Sequence, residues 1–259
     1  MRKISKDKNV NTDFISQKLR LNSLLYNETL LKKVNDDSRL KIILPLFFLF
    51  NYYYDGTITL LCGEKYSSIY SVARSALECF ANFSKLCNNF NSPLFFEVYK
   101  TFIKKDILQI SKIADEEEIA EEKDVLMKTI VSKLHELEID ISENDNAQIV
   151  RNIRTIKNEL GNNREYQTTN LVLNSLDSLE NVYGNSTKLA KTLYGDLCSL
   201  SHNNISGIAE RLYKKDGDKI VFCGEHYTTE LIIPIQELFI VCGIYIEKWI
   251  NANVLINIK

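Results

Sequence analysis

Between Ile69 and Phe83 the apolar residues Ile69, Val72, Ala73, Ala76, Leu77, Phe80 and Phe83 recur at steps of three and four. That spacing puts them on one face of a cylinder with 3.6 residues per turn, and a face so continuous has to be buried against neighbouring elements. The same helical period returns along most of the chain. Only 9 Gly and 3 Pro interrupt its 259 residues, and no Gly/Ser-rich or Pro-rich linker separates one half from the other. The reading is an all-α fold, a multi-helix bundle, with a loose polar arm over residues 1–12 and a single helical domain over 13–259. A chain of this length can bury a sizeable core without disulfide or metal staples.

Element by element, the pattern predicts a first helix from Asp13 to Val34. An apolar element then runs from Ser38 to Leu61, bent at Pro45, and Gly63 separates it from the helix of the opening stripe. Ser92 before Pro93 reads as a helix start, with that helix continuing to Lys112. The acidic run Asp115–Glu118, with Glu121 and Glu122, suits the first turns of the next helix, where negative charge meets the positive end of the helix dipole. Leu126, Ile130, Leu134 and Leu137 form the stripe of that helix, and His135 falls off it toward solvent. Residues 147–160 make a further helix with Ile149, Val150, Ile153, Ile156 and Leu160 inward, and with Arg151, Arg154 and Lys157 on its wet side. Helices over Leu171–Val182, Thr187–Asn203 and Thr229–Leu255 complete the set. Between the last two, Asp216-Gly217 amid apolar and lysine residues over 211–223 reads as a small β-hairpin insertion.

Charge excludes some roles. A formal net charge of −2 and a pI near 6.0 do not suit a dedicated nucleic-acid coat or a polybasic membrane binder. Leu40–Tyr54 and Leu231–Ile246 are the two most apolar segments, but the first is shorter than the ~20 residues of a membrane span. It also carries Lys41, Pro45 and Asn51, and the second contains Pro234, Gln236 and Glu237. Both read as core helices, and no membrane partner is expected. The six cysteines, without a signal peptide in front of them, read as reduced thiols of a cytoplasmic protein. Cys62, Cys79, Cys87 and Cys242 lie in apolar periodic segments and act as small hydrophobes.

Two polar intrusions break the stripes. Tyr70, Arg74 and Glu78 form a column at the border of the opening stripe, and the four-residue step lets Arg74 pair with Glu78. Later, Ser201 and His202 interrupt the amphipathic segment that begins near Tyr194. If those two helices pack together, Arg74, Glu78, Tyr194, Ser201 and His202 form one candidate site. Arg74 would hold an anion, Glu78 would orient it, and His202 would move a proton near neutral pH. The competing reading is a buried or half-buried polar network that pins two helices in register. Cys198, His202, Cys223 and His226 also lie at short spacings that could close a tetrahedral zinc site. Their order is not the usual Cys pair followed by a His pair, and no metal or cofactor is expected. The sequence contains no phosphate-cradling glycine loop, dinucleotide fingerprint, nucleophile elbow or zincin helix.

The Tyr70-Ser-Val-Ala-Arg74-Ser-Ala-Leu-Glu78 helix and the later Tyr194-Gly-Asp-Leu-Cys-Ser-Leu-Ser201-His202 segment resemble a large, mostly bacterial family of helical proteins. That family is known only as a domain of unknown function, and the resemblance covers roughly residues 40–250. Such proteins are loosely similar to the HEPN class of all-helical domains, many of them ribonucleases of toxin and phage-defence systems. The HEPN class uses an Arg and a His four to six residues apart. None of His135, His202 and His226 has an Arg at that spacing before it, so the motif itself does not carry over. The resemblance implies a stress or phage-defence sensor or effector with a pocket for an anionic ligand or RNA, forming a homo-oligomer or meeting a partner protein. The alternatives are a metal-independent ribonuclease and a non-enzymatic interaction protein.

Overall fold

The computed structural model describes residues 10–142, 145–161, 163–183, 186–201, 213–216, 219–222 and 231–255. Ten α-helices carry the described fold: α1 (Thr12–Leu25), α2 (Glu28–Asp36), α3 (Ser38–Cys62), α4 (Tyr66–Asn88), α5 (Phe95–Glu116), α6 (Ala120–Glu136), α7 (Asn146–Gly161), α8 (Thr168–Tyr183), α9 (Ser186–Ser201) and α10 (Ile232–Ile250). Strands β1 (Tyr213–Asp216) and β2 (Lys219–Phe222) pair antiparallel, with Tyr213 opposite Phe222. Gly217, the centre of the turn read from the sequence, lies outside the described residues. The chain divides into two compact units, one of residues 1–87 and 172–259 and one of residues 88–171.

Capping chemistry explains several of the helix starts, including ones the periodicity misplaced. The expected helix over 13–34 is two helices, because the Asn27 side chain accepts from the Leu30 N–H at 3.0 Å and restarts the chain as α2. Asp37 does the same for α3, accepting from the Arg39 N–H at 2.8 Å. Pro45 stands inside α3, whose helix is continuous from Ser38 to Cys62. Ser92 Oγ accepts from the Leu94 N–H, and α5 begins at Phe95, later than the Ser-Pro signal suggested. Asp115 and Glu116 belong to the end of α5, so only Glu121 and Glu122 occupy the first turn of α6. Apolar periodicity is blind to this, since the polar run offers no stripe on either side of the break.

In the first unit the core is aromatic. Phe14 of α1 stacks on Tyr54 of α3 at 4.5 Å, and Phe239 of α10 meets Tyr54 edge-on at 5.0 Å. The Tyr54 hydroxyl donates to the Phe14 carbonyl at 2.8 Å, so a fully buried phenol costs little. α1 lies against α10, and Gly243 is what lets it: a Cβ there would come within 2.9 Å of Gln17 Cγ. α10 with its π-helical extension runs from Ile232 to Leu255, long and apolar enough by composition to cross a membrane. Its Ile235, Phe239, Cys242, Ile246 and Ile250 are nonetheless buried in the unit, the pattern of a core helix.

The second unit packs α5 against α6 and α7. Ile103, Ile107, Ile130, Leu134, Ile149 and Ile156 lie at the centre of its aliphatic core. Val150, expected to face inward, is exposed, because the inward stripe of α7 runs through Ile149 and Ile156 and turns Val150 out. His135 is exposed as expected, with Nε2 3.0 Å from the Ile141 carbonyl. Arg151, Arg154 and Lys157 are exposed as well. Cys79, Cys87 and Cys242 are buried, whereas Cys62, at the last position of α3, is exposed.

Candidate functional site

α4 sits where its stripe demands, with Ile69, Ala73, Ala76, Leu77, Phe80 and Phe83 all buried. Its border column therefore lies at the edge of the core. Arg74 Nε donates to Glu78 Oε1 at 2.9 Å, and the two side chains are 23% and 29% exposed. The pair is thus neither sealed in the core nor fully hydrated, and its strength falls between those limits. Tyr70, one turn earlier, is buried.

Tyr194 joins the pair from α9. Its ring is fully buried, and its hydroxyl donates to Glu78 Oε1 over a long 3.4 Å. The sequence placed Arg74 and Tyr194 at one site only if their helices met, and this bond spans them. Two neighbouring contacts tether α4 and α9 to α8: Ser175 Oγ donates to the Ala81 carbonyl at 3.4 Å, and Lys191 pairs with Asp177. α8 thus touches both helices that carry the cluster.

The electrostatics match the geometry. Burial works against the Arg74 charge, but the Glu78 carboxylate, with Cys198 and Tyr194 beside it, outweighs that effect and holds the guanidinium pKa above its ordinary value. Burial likewise pushes the Tyr194 phenol up, helped by a hydrogen bond with Cys198 and by the nearby Glu78 charge. Tyr53 of α3 belongs to the same neighbourhood. Its phenol is raised by burial and by Cys79 and Glu78, against a hydrogen bond with Ser75 that lowers it. The Cys79 thiol, pushed up to about 12 by burial, donates to the Leu46 carbonyl and stays protonated at any ordinary pH.

Of the five residues picked from the sequence, the structure brings Arg74, Glu78 and Tyr194 together. Ser201 is the last residue of α9, and His202 lies outside the described residues. Cys198, read earlier only as a zinc ligand, stands beside Tyr194, which its four-residue spacing on one helix could have told. Cys223 and His226 lie outside the described residues, so of the four zinc candidates only Cys198 is placed. Tyr53 and Ser75 were missed because no periodic rule links two different helices.

A second polar cluster, also missed, sits on the core face of α1. Lys18 is buried, donates to the Asn51 carbonyl at 2.8 Å and pairs with Asp55 at 2.9 Å. Nearby, Gln17 donates to Glu247 at 3.0 Å and Arg20 pairs with the same carboxylate at 3.2 Å. A signal existed: Phe14, Gln17, Lys18, Leu21 and Leu24 are the buried face of α1, and two of those five are polar. A cavity of about 600 Å³ lies in the second unit between α5, α6 and α7, lined by Ser111, Lys123, Met127, Asn146 and Val150 among others.

No curated protein and no solved structure matches the chain. Residues 40–220 match the model of a family of unknown function, DUF5677. The matched span runs from the start of α3 through α9 to β2, and so takes in Arg74, Glu78 and Tyr194. With well over half of its length in that match, this chain belongs to the family of unknown function DUF5677.

Proposed function

We propose that this protein is a cytoplasmic sensor or effector of the bacterial stress or phage-defence kind, which binds an anionic, phosphate-bearing ligand at Arg74. It acts by binding, without a chemical step. The supporting observation is the Arg74–Glu78–Tyr194 bridge, a guanidinium and a carboxylate left part-exposed where two helices meet. A guanidinium takes phosphate through paired N–H donors more strongly than it holds a single carboxylate oxygen, so the ligand binds by displacing Glu78 from Arg74. Glu78 is also the acceptor for Tyr194, so exchange at Arg74 bears directly on the contact between α4 and α9. The ligand's charge is thereby felt at the segment that leads to Ser201 and His202.

One observation favours the interaction-protein reading as runner-up: Arg74, Glu78 and Tyr194 already satisfy one another, as a network that only fixes helix register would. The test measures binding of inorganic pyrophosphate and of a short single-stranded RNA by calorimetry, and cleavage of the same RNA. The proteins are the wild type, Arg74→Ala, Arg74→Lys and His202→Gln. The proposal expects phosphate-bearing probes to bind the wild type, at least about tenfold weaker binding to Arg74→Ala, partial recovery in Arg74→Lys, and intact RNA throughout. Cleavage lost in His202→Gln would establish the ribonuclease alternative. A folded wild type that binds neither probe would leave the interaction reading.

A further inference from the structure

α3 carries an exposed face of which the first unit uses only Asp55, among the described residues, in its pair with Lys18. Lys41, Pro45, Phe48, Tyr52, Asp55 and Thr59 follow one another at steps of four and three, so they share one side of the helix. All six are exposed, with Leu49 beside them, while Ile43, Leu44, Phe47, Phe50, Asn51 and Tyr54 on the opposite side are buried. Three large apolar side chains form the middle of that face: Phe48 and Leu49, each 41% exposed, and Tyr52, 71% exposed. Single exposed apolar residues need no explanation, and three within two turns of one helix form one contiguous patch, whose partner the flanking charges specify.

The charges on this face have an order. Lys41 stands at one end and Asp55 at the other, fourteen residues or about 21 Å apart, with the apolar patch midway between them. We infer that this face pairs with the same face of a second copy of the chain, the two α3 helices running antiparallel about a twofold axis near Phe48 and Leu49. That arrangement sets Phe48 of each copy against Leu49 of the other and Pro45 against Tyr52, and it brings Lys41 of each copy to Asp55 of the other. A parallel pairing would set Lys41 against Lys41 and Asp55 against Asp55. Like charges at both ends disfavour it, so the sequence order of the charges selects the antiparallel form. Asp55 holds Lys18 through Oδ2 and is itself exposed, so its carboxylate has a side open to the second copy.

The patch is small. Phe48, Leu49 and Tyr52 together offer roughly 300 Å² per copy at ~200 Å² for a whole large side chain, against ~800 Å² per partner in a standard interface. The flanking Lys41, Pro45, Gly56 and Thr59 enlarge it, and the dimer belongs to the weak, concentration-dependent class. Charge at its two ends makes it weaker in high salt.

Sedimentation velocity on the full chain, from about 1 to 200 μM, reads the equilibrium directly. The expected result is a reversible monomer–dimer shift that weakens in 0.5 M salt and is lost in Tyr52→Glu, with the circular dichroism and melting temperature of that variant unchanged. Geometry is tested in a Cys62→Ser, Cys223→Ser background, which removes the one thiol exposed among the described residues and the one outside them. Under a mild oxidant Leu49→Cys, beside the axis, cross-links, whereas Thr59→Cys does not, its two copies standing about 30 Å apart along the pair. A wild type that stays monomeric at 200 μM overturns the inference, as does a dimer that survives Tyr52→Glu. Cross-linking through Thr59→Cys but not Leu49→Cys overturns the antiparallel arrangement.

Discussion

Removing the Arg74 guanidinium is the most informative single perturbation, because the structure bounds its effect from both sides. If buried as a pair, Arg74 and Glu78 would be worth about 3–5 kcal/mol on truncation of one partner. At 23% and 29% exposure the pair keeps some of its water, while an exposed surface pair gives only about 0.2–1 kcal/mol. Arg74→Ala also leaves Glu78 with Tyr194 as its bonding neighbour over 3.4 Å, so the carboxylate is weakly compensated rather than stranded. The expected loss is therefore about 1–2 kcal/mol, which in a chain of this size lowers the melting temperature by roughly 2–8 °C. Lys157→Ala on the exposed side of α7 should change stability by less than about 0.5 kcal/mol. Urea unfolding followed by circular dichroism on wild type, Arg74→Ala, Glu78→Gln and the double variant yields the coupling directly, with about 1 kcal/mol expected. A coupling near zero, or equal midpoints for Arg74→Ala and Lys157→Ala, would refute the reasoning.

Three further outcomes follow from the packing of the first unit. The Asp37 carboxyl is held below its ordinary 3.8 by its hydrogen bond with Arg39, so its stabilising effect is complete above pH 3.8 and fades as pH falls through the lowered value. The difference in urea midpoint between wild type and Asp37→Asn should accordingly shrink between pH 5 and the acid limit of folding; a constant difference contradicts it. Burial lowers the Lys18 pKa despite the pull of Asp55, so the unfolded chain binds the extra proton between that lowered value and 10.5, and stability gains there as pH rises. Lys18→Met, which keeps the volume and removes the buried charge, should lie within about 1 kcal/mol of wild type and lose this pH dependence, whereas Lys18→Ala should be clearly less stable. Gly243→Ala improves helix propensity by about 1 kcal/mol, yet its Cβ would press on Gln17 and Leu21, so a net loss is expected, relieved when Gln17→Ala opens the space. A Gly243→Ala variant with a raised melting point would show that α1 and α10 give way easily.

Local chemistry made much of this chain legible. Stripes such as Ile69 to Phe83 mark a helix and its buried face because period 3.6 is imposed by the backbone, and the structure buries that face. The Arg74–Glu78 pair was legible for the same reason, being a contact within one helix. Helix ends were less so. Asn27 and Asp37 act through one or two hydrogen bonds that leave no periodic trace, and a continuous pattern over 13–34 hid the break at Asn27. The exposure of Cys62 and Val150 depended on how far a helix is rotated in its socket, which small shifts of packing decide and periodicity alone does not.

Contacts between elements belonged to the tertiary structure alone. That Tyr194 reaches Glu78 across 116 positions, that Tyr53 and Ser75 join the same neighbourhood, and that Lys18 lies buried beside Asn51 and Asp55 are matters of which helix meets which. The division into two compact units has no linker to announce it, since its boundaries fall at the last residue of α4 and in the first turn of α8. The physical reason is range: backbone hydrogen bonding and side-chain periodicity act over three or four residues and are written locally. Burial and charge pairing between helices act across space, and the sequence contains them only through the fold.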